Sequence, residues 1–312
     1  MQRTLITFIT LFICQFAFGQ RVIDLKTMSD DRIADLCKEE SNEYGKELDN
    51  YKRKVTIHQA CLDYIDKKAT PELTTQSNDG ATKITAGIGM IKSVHTSIVK
   101  GKEVKKVQVI TGTMSNLQDI ESIALSSDKK WIAVLQKVQV QTNHSLKKDR
   151  SNQFKMEKEI LLFMANLNGN VSPQRILRNS EINSATSMAI HPKGDEIYIS
   201  NNKSNSIVTF STTADFRMKD EKKRPNVIRR FTSSESSFRE PASITFMDDK
   251  LLILDASQTH LYALNPMSNT VEWSLDKNTI ALDNAAYVKY SKSNKKLVIS
   301  DKSGNSVEFD QE

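Results

Sequence analysis

The sequence is short of the residues on which most recognisable catalytic chemistry depends. Ten glycines in 312 residues form no Gly-x-Ser-x-Gly elbow for a serine nucleophile and no glycine loop to cradle phosphates. The five histidines are scattered. His191 falls in a turn and His58 in a helical seam, while His95, His144 and His260 share no spacing. A zinc cluster needs closely spaced Cys and His ligands, and the chain has none. Cysteine is scarcer still, at three residues, and Cys14 lies inside an N-terminal apolar run. Beyond that run no stretch approaches the about 20 apolar residues that cross a bilayer. Disorder is excluded too: with 38% hydrophobic and 26% charged residues the chain has ample material for a large core.

What is present begins with an export signal. Met1-Gln2-Arg3, the apolar run from Leu5 to Phe18, and Ala17-Phe18-Gly19 before Gln20 give a charged start, an apolar core and a small-x-small cleavage site in order. Residues 1–19 are expected to be a secretory signal peptide and the product to be periplasmic or secreted, with no membrane span. Ile13 is not the small residue that a lipoprotein signal would place before Cys14. Cleavage leaves Cys37 and Cys61, and an oxidising compartment favours their pairing. The net charge of +6 sits in mixed-sign runs such as Lys219-Asp220-Glu221-Lys222-Lys223-Arg224. These read as solvated loops or as weak attraction to anionic envelope surfaces, not as a nucleic-acid site.

Residues 20–68 are expected to form a helical arm. From 29 to 67 the chain is charged, lacks proline and has one glycine, Gly45. Ser29 before Asp30 and Asp31 suits a helix start. Tyr44, Leu48, Tyr51, Val55, His58, Leu62 and Ile65 then alternate steps of four and three, a helical seam. One long helix, its seam packed on the main domain or on a second copy as a dimer, and a hairpin broken near Gly45 both fit. In an unbroken helix Cys37 and Cys61 would be about 36 Å apart, so a disulfide within one chain requires the hairpin. A long helix leaves free thiols or a bridge between chains.

Residues 69–82 hold the turn-formers of a linker, and 83–312 change to short alternating strands. Four stretches align: Ile123 to Val134, Met188 to Ile199, Ile244 to Leu254 and Val288 to Ile299. Each is an apolar strand, a polar turn and a second apolar strand. Third strands follow at Ile160–Ala165, Ser206–Phe210, His260–Leu264 and Ser306–Phe309. Fourth strands follow in the first three units, at Gln174–Leu177, Val227–Phe231 and Val271–Leu275. Self-similar four-stranded units at this spacing indicate a mainly β fold, a small β-propeller of four to five blades. Lys83 to Lys100 supplies part of a fifth blade, and Val104 to Thr111 is expected to complete the last one and seal the ring.

His191-Pro192-Lys193-Gly194 followed by Ile197-Tyr198-Ile199-Ser200-Asn201-Asn202-Lys203-Ser204-Asn205-Ser206-Ile207-Val208 resembles the YVTN-type propeller repeat, over roughly residues 104 to 312. The resemblance implies an exported propeller of the lactonase-like or scaffold kind, and it says little about function.

Six residues before the aligned apolar positions Leu125, Ile190, Phe246 and Tyr290 stand Asp119, Ser184, Glu240 and Asn284. They are expected at one mouth of the central channel. Asp119, Glu240 and Asn284 are candidate oxygen ligands for calcium, in positions similar to those by which gluconolactonase-type propellers bind a metal. As turn and strand-start residues they need no ligand. Asn201, Asp255 and Asp301, at the ends of second strands, read as turn-ordering residues. The function expected is a non-catalytic binding or scaffold module for a protein or envelope component, needing no cofactor. A calcium-dependent hydrolase or lactonase is the alternative.

Overall fold

A strand that is apolar on both faces needs cover on each side, and the repeats provide it for one another. The computed structural model describes residues 29–43, 51–142, 153–220, 223–232 and 238–311. The signal segment, Cys14 and the expected break near Gly45 lie outside the described residues.

The described strands form five antiparallel sheets. Blade 1 holds β1 (Thr74–Gln76), β2 (Thr82–Gly87), β3 (Met90–Val99) and β4 (Lys102–Ile110). Blade 2 holds β5 (Asp119–Leu125), β6 (Trp131–Thr142), β7 (Gln153–Met164) and β8 (Arg175–Leu177). Blade 3 holds β9 (Ala185–Ile190), β10 (Glu196–Asn201), β11 (Ser206–Ser211) and β12 (Arg229–Thr232). Blade 4 holds β13 (Pro241–Met247), β14 (Lys250–Asp255), β15 (His260–Asn265) and β16 (Thr270–Leu275). Blade 5 holds β17 (Ala285–Ser291), β18 (Lys296–Asp301) and β19 (Ser306–Asp310), preceded by the one-turn helix Lys277–Ile280. The innermost strands β1, β5, β9, β13 and β17 stand side by side around the axis. The chain is a five-bladed β-propeller.

Strand β14 shows how the cores form. Leu251 and Ile253 point to blade 3, joining Tyr198, Ile207 and Phe231. Leu252 and Leu254 point to blade 5, joining Val288, Leu297 and Ile299. All four are fully buried, each worth about 1.5–3 kcal/mol in removed apolar surface. This double burial is why the inner strands read as continuous apolar runs.

Two expectations change. Val104–Thr111 does not close the last blade: β4 pairs with β3 from Ile91↔Ile110 to Val99↔Lys102 and is the outer strand of blade 1. Among the described residues no fourth strand pairs with β19. The stretch 69–82 also carries structure, a 3-10 turn at Pro71–Leu73 and the innermost strand β1. With β1 in place, Lys83–Lys100 belongs to a full blade.

The arm is a hairpin of α1 (Asp30–Glu43) and α2 (Tyr51–Lys68). A disulfide joins Cys37 and Cys61, whose Cα atoms are 5.5 Å apart. The cysteines, Ile65 and Met90 are buried together beside Ile33 and Ile88. Leu62 and Ile65, the described end of the seam, are buried, and Ile65 meets Met90 in the β2–β3 turn, where Lys92 pairs with Asp66 at 2.5 Å. The segment that follows β11 reaches blade 2 at Phe216, whose N–H donates to the Ile176 carbonyl at 2.9 Å. Arg178 sits 4.4 Å from the centre of the Phe216 ring.

The disulfide spans 24 residues, so loop-closure entropy assigns it about 3 kcal/mol. Urea unfolding of the arm, followed by hydrogen exchange at Leu62 to Ile65, should show a loss of that order in the Cys37→Ala, Cys61→Ala double variant. Unchanged protection would remove the disulfide from the arm's stability.

Candidate functional site: the central channel and its funnel

Each inner strand from β5 to β17 carries a bulge at the same place. The ladders skip one residue between Ile120 and Ser122, Pro241 and Ser243, and Ala285 and Tyr287. In β9 the skipped residue is Thr186, between Ala185 and Ser187. A bulge re-aims the residue that follows it. Here it brings Ser122, Ser187 and Ser243 to one carboxylate.

That carboxylate is Glu72. Pro71 fixes the backbone at the start of a 3-10 turn, and the turn sets Glu72 on the axis with 6% of its surface exposed. The Ser122 and Ser187 hydroxyls donate to Oε2 at 3.1 and 3.2 Å, and the Ser243 hydroxyl donates to Oε1 at 2.8 Å. Two serines also bridge blades: Ser187 Oγ accepts the Ile244 N–H and Ser243 Oγ the Val288 N–H, each at 3.2 Å. Tyr287 holds the equivalent place in blade 5. Burial, and then the Glu72 charge, push its phenol pKa up.

Beyond this plug a funnel of about 720 Å³ opens on the face of the turns between first and second strands. Two residues further along each strand, on the same side, stand Ala124, Ala189, Thr245 and Lys289, all lining it. The aligned column Leu125, Ile190, Phe246 and Tyr290 lines it as well. Ion pairs tie neighbouring turns at the rim, Lys129 to Asp79 at 2.5 Å and Lys292 to Asp248 at 2.6 Å. The Lys129 ammonium, with the Ser77 hydroxyl and the Ala81 N–H, holds the Asp79 carboxyl well below the usual carboxylate range. His191 stands 3.2 Å from Asp195 and edge-on to Phe246, with ring centres 5.3 Å apart.

The opposite mouth carries the sequence candidates. Asp119 opens β5 across from Lys137, Glu240 precedes β13, and Asn284 precedes β17 in a left-handed conformation. All three are exposed. Among the described residues no group of three or more His, Cys, Asp or Glu side chains is placed to hold a metal ion. The second-strand ends order turns: Asp255 accepts the Arg239 N–H at 2.5 Å and the Ser257 N–H at 2.9 Å. Asn201 accepts the Lys203 N–H at 3.0 Å, and Asp301 the Ser303 N–H at 2.8 Å. Gln136 holds the same place in blade 2 and donates to the fully buried Glu159 at 2.9 Å.

Sequence reasoning missed Glu72 and its serines. The signal lay in the alignment, where serine recurs three residues before Leu125, Ile190 and Phe246.

No family model and no curated protein matches the chain. Solved structures similar to it include the Cps50 (Swd1) β-propeller domain of Myceliophteria thermophila, at 10% identity and TM-score 0.45, covering 75% of this chain and 62% of that one. A protein assigned as a 6-phosphogluconolactonase from Bacteroides uniformis is similar at 11% identity and TM-score 0.45, covering 78% of this chain and 68% of that one. A functionally unknown protein from Desulfotomaculum acetoxidans is similar at 12% identity and TM-score 0.40, covering 75% and 83%. The chain thus spans less than two thirds of the first of these. Likeness at these identities concerns the fold alone.

Removing the Glu72 carboxylate leaves three buried hydroxyl donors without an acceptor, at about 1–3 kcal/mol each. Glu72→Ala should lower the unfolding free energy measured in urea by about 3 kcal/mol or more, and Glu72→Gln by less; no change in either would refute the plug. The rim pairs give a pH dependence. The folded state holds Asp79 below its usual range, so its contribution is present above the unfolded pKa and fades as the pH falls below about 4. Stability profiles of Lys129→Ala and the parent chain should therefore converge on acidification, and converge at every pH in high salt.

Proposed function

We propose that the chain is an exported, non-catalytic module that binds a protein or envelope component through the funnel face of its propeller. The observation that carries this reading is the funnel itself. It reaches down to Pro71, beside the Glu72 plug, is walled by apolar side chains and is rimmed by charge. Lys193 and Asp249 stand exposed on that rim, free of ion pairs with the described residues. The arm leaves this face open, because it packs on the β2–β3 turn at the other end of blade 1. No helix among the described residues is long and apolar enough to cross a membrane, and the arm contains a disulfide. Both accord with export.

The test is cross-linked capture from the native envelope fraction, with the parent chain compared with a Lys193→Glu, Asp249→Lys double variant. Both positions are exposed, so the variant should fold normally. Specific partners recovered by the parent and lost by the variant would locate the working face. Capture indifferent to the rim, with one calcium bound per chain and lost on Asp119→Ala and Glu240→Ala, would replace this reading with a calcium-dependent hydrolase at the opposite mouth.

A further inference from the structure

The funnel is not symmetric, and its asymmetry specifies a ligand. The strand position just beyond the Glu72 layer holds Ala124, Ala189, Thr245 and Lys289. Blades 2 to 4 contribute small, uncharged side chains at this position, blade 1 lines the funnel with Thr74, Thr75 and Gln76, and blade 5 contributes a lysine. Lys289 is half-buried. Among the described residues no carboxylate lies within ion-pair distance of it, while Lys292, three residues on, is paired with Asp248. Glu72 lies one layer below, its oxygens engaged by three serines. Lys289 is thus a half-buried cation without an ion-pair partner among the described residues, and an anion entering the funnel would supply one.

We propose that the funnel binds a small amphiphilic carboxylate whose acid group pairs with Lys289 and whose apolar body lies along Leu125, Ile190, Phe246 and Tyr290. This rests on the reading of the funnel as the binding face. Three features select the class. The volume of about 720 Å³ lies within the range of sites that enclose small organic ligands, roughly 300–1,000 Å³. Among the described residues the deep part offers one cation, which suits a monoanion; a phosphate-rich ligand would call for several donors. The rim carries Asp248 and Asp249 beside Lys193 and Lys292, so a polyanion gains little at the entrance. The site is on the face opposite the mouth that carries Asp119, Glu240 and Asn284.

The experiment uses the mature, disulfide-bonded protein and calorimetric titration with octanoate and phenylbutyrate, each against its neutral amide. The acids should bind at one site per chain, about tenfold or more tighter than the amides. Lys289→Met should lose that preference, Lys289→Arg should keep it, and Lys203→Met, an exposed position outside the funnel, should leave it unchanged. Circular dichroism and urea midpoints confirm that each variant is folded. Equal affinity for acid and amide, an unaltered preference in Lys289→Met, or no heat from either acid at about 10 mM would each overturn the proposal. A macromolecular partner lost on reversing the rim charges, with no acid bound, would leave the binding-face reading standing and discard the carboxylate. Acid binding without any captured partner would keep the carboxylate and the funnel as its site, and discard the macromolecular partner.

Discussion

The constraint on which the rest of the structure depends is the axis. Five innermost strands converge on it, and the polar groups that meet there must satisfy one another. Glu72 and Ser122, Ser187 and Ser243 meet that requirement jointly. A buried carboxylate without donors would cost several kcal/mol, and buried hydroxyls without an acceptor would each add a penalty. Neither set is tolerable alone. Because Ser187 and Ser243 also accept backbone N–H groups from the following blade, the carboxylate holds not single strands but the spacing between blades. It holds the arm as well: α2 ends at Lys68, four residues before Glu72, so little slack separates the hairpin from the plug.

The bulges make this geometry repeat. Glu121, Thr186, Ala242 and Ala286 are the unpaired residues, and each turns its successor toward the channel. The same register then decides what lies above. Two residues on, the side chains point the same way, and their sizes settle whether the channel continues as a packed core or opens. With alanine twice and threonine once it opens, and the one long side chain at that level, Lys289, has room to stand half-exposed. The funnel is thus a consequence of small residues at one repeated position, and its electrostatic character comes from the one blade that departs from them.

Much of this was legible along the chain, and the exceptions have physical causes. The inner and middle strands of blades 2 to 5 follow from apolar runs flanking polar turns. The observed β11 (Ser206–Ser211) and β15 (His260–Asn265) stand where alternation places them. The hairpin was one of two solutions, and the structure selects it by bringing Cys37 and Cys61 together. Blade 1 was hard to see because its innermost strand is Thr74-Thr75-Gln76, three residues without an apolar side chain, inside a stretch rich in turn-formers. Without that strand, Val104–Thr111 looked orphaned and blade 5 looked incomplete, and joining them in one dimension was economical. Pairing decided otherwise, since β3 and β4 share a nine-residue ladder that leaves β4 no reason to travel. Glu72 gave no local signal, because an acidic residue in a polar segment has no pattern; only the recurrence of serine among its partners pointed to the axis.

Closure of the ring follows from the same residues. A propeller whose last blade borrowed a strand from the first part of the chain would be latched at its circumference. Here β19 has no such partner among the described residues, and the join between blades 5 and 1 is made near the axis instead. The 3-10 turn at Pro71–Leu73 lies against both β17 and β5. At the rim, Gly80, with φ of +71°, approaches Ser293 so closely that a Cβ would stand 3.1 Å from its hydroxyl oxygen. An axial latch leaves the outer edges of blade 5 and blade 1 with little to do in closing the ring. Lys105 and Lys106 on the exposed part of β4 discourage edge pairing with other chains. It also means that the parts holding the ring together and the part that opens to a ligand are neighbours. Tyr287 faces the Glu72 layer and Lys289 faces the funnel from the same strand, two residues apart, so whatever fills the funnel presses on the strand that the latch secures.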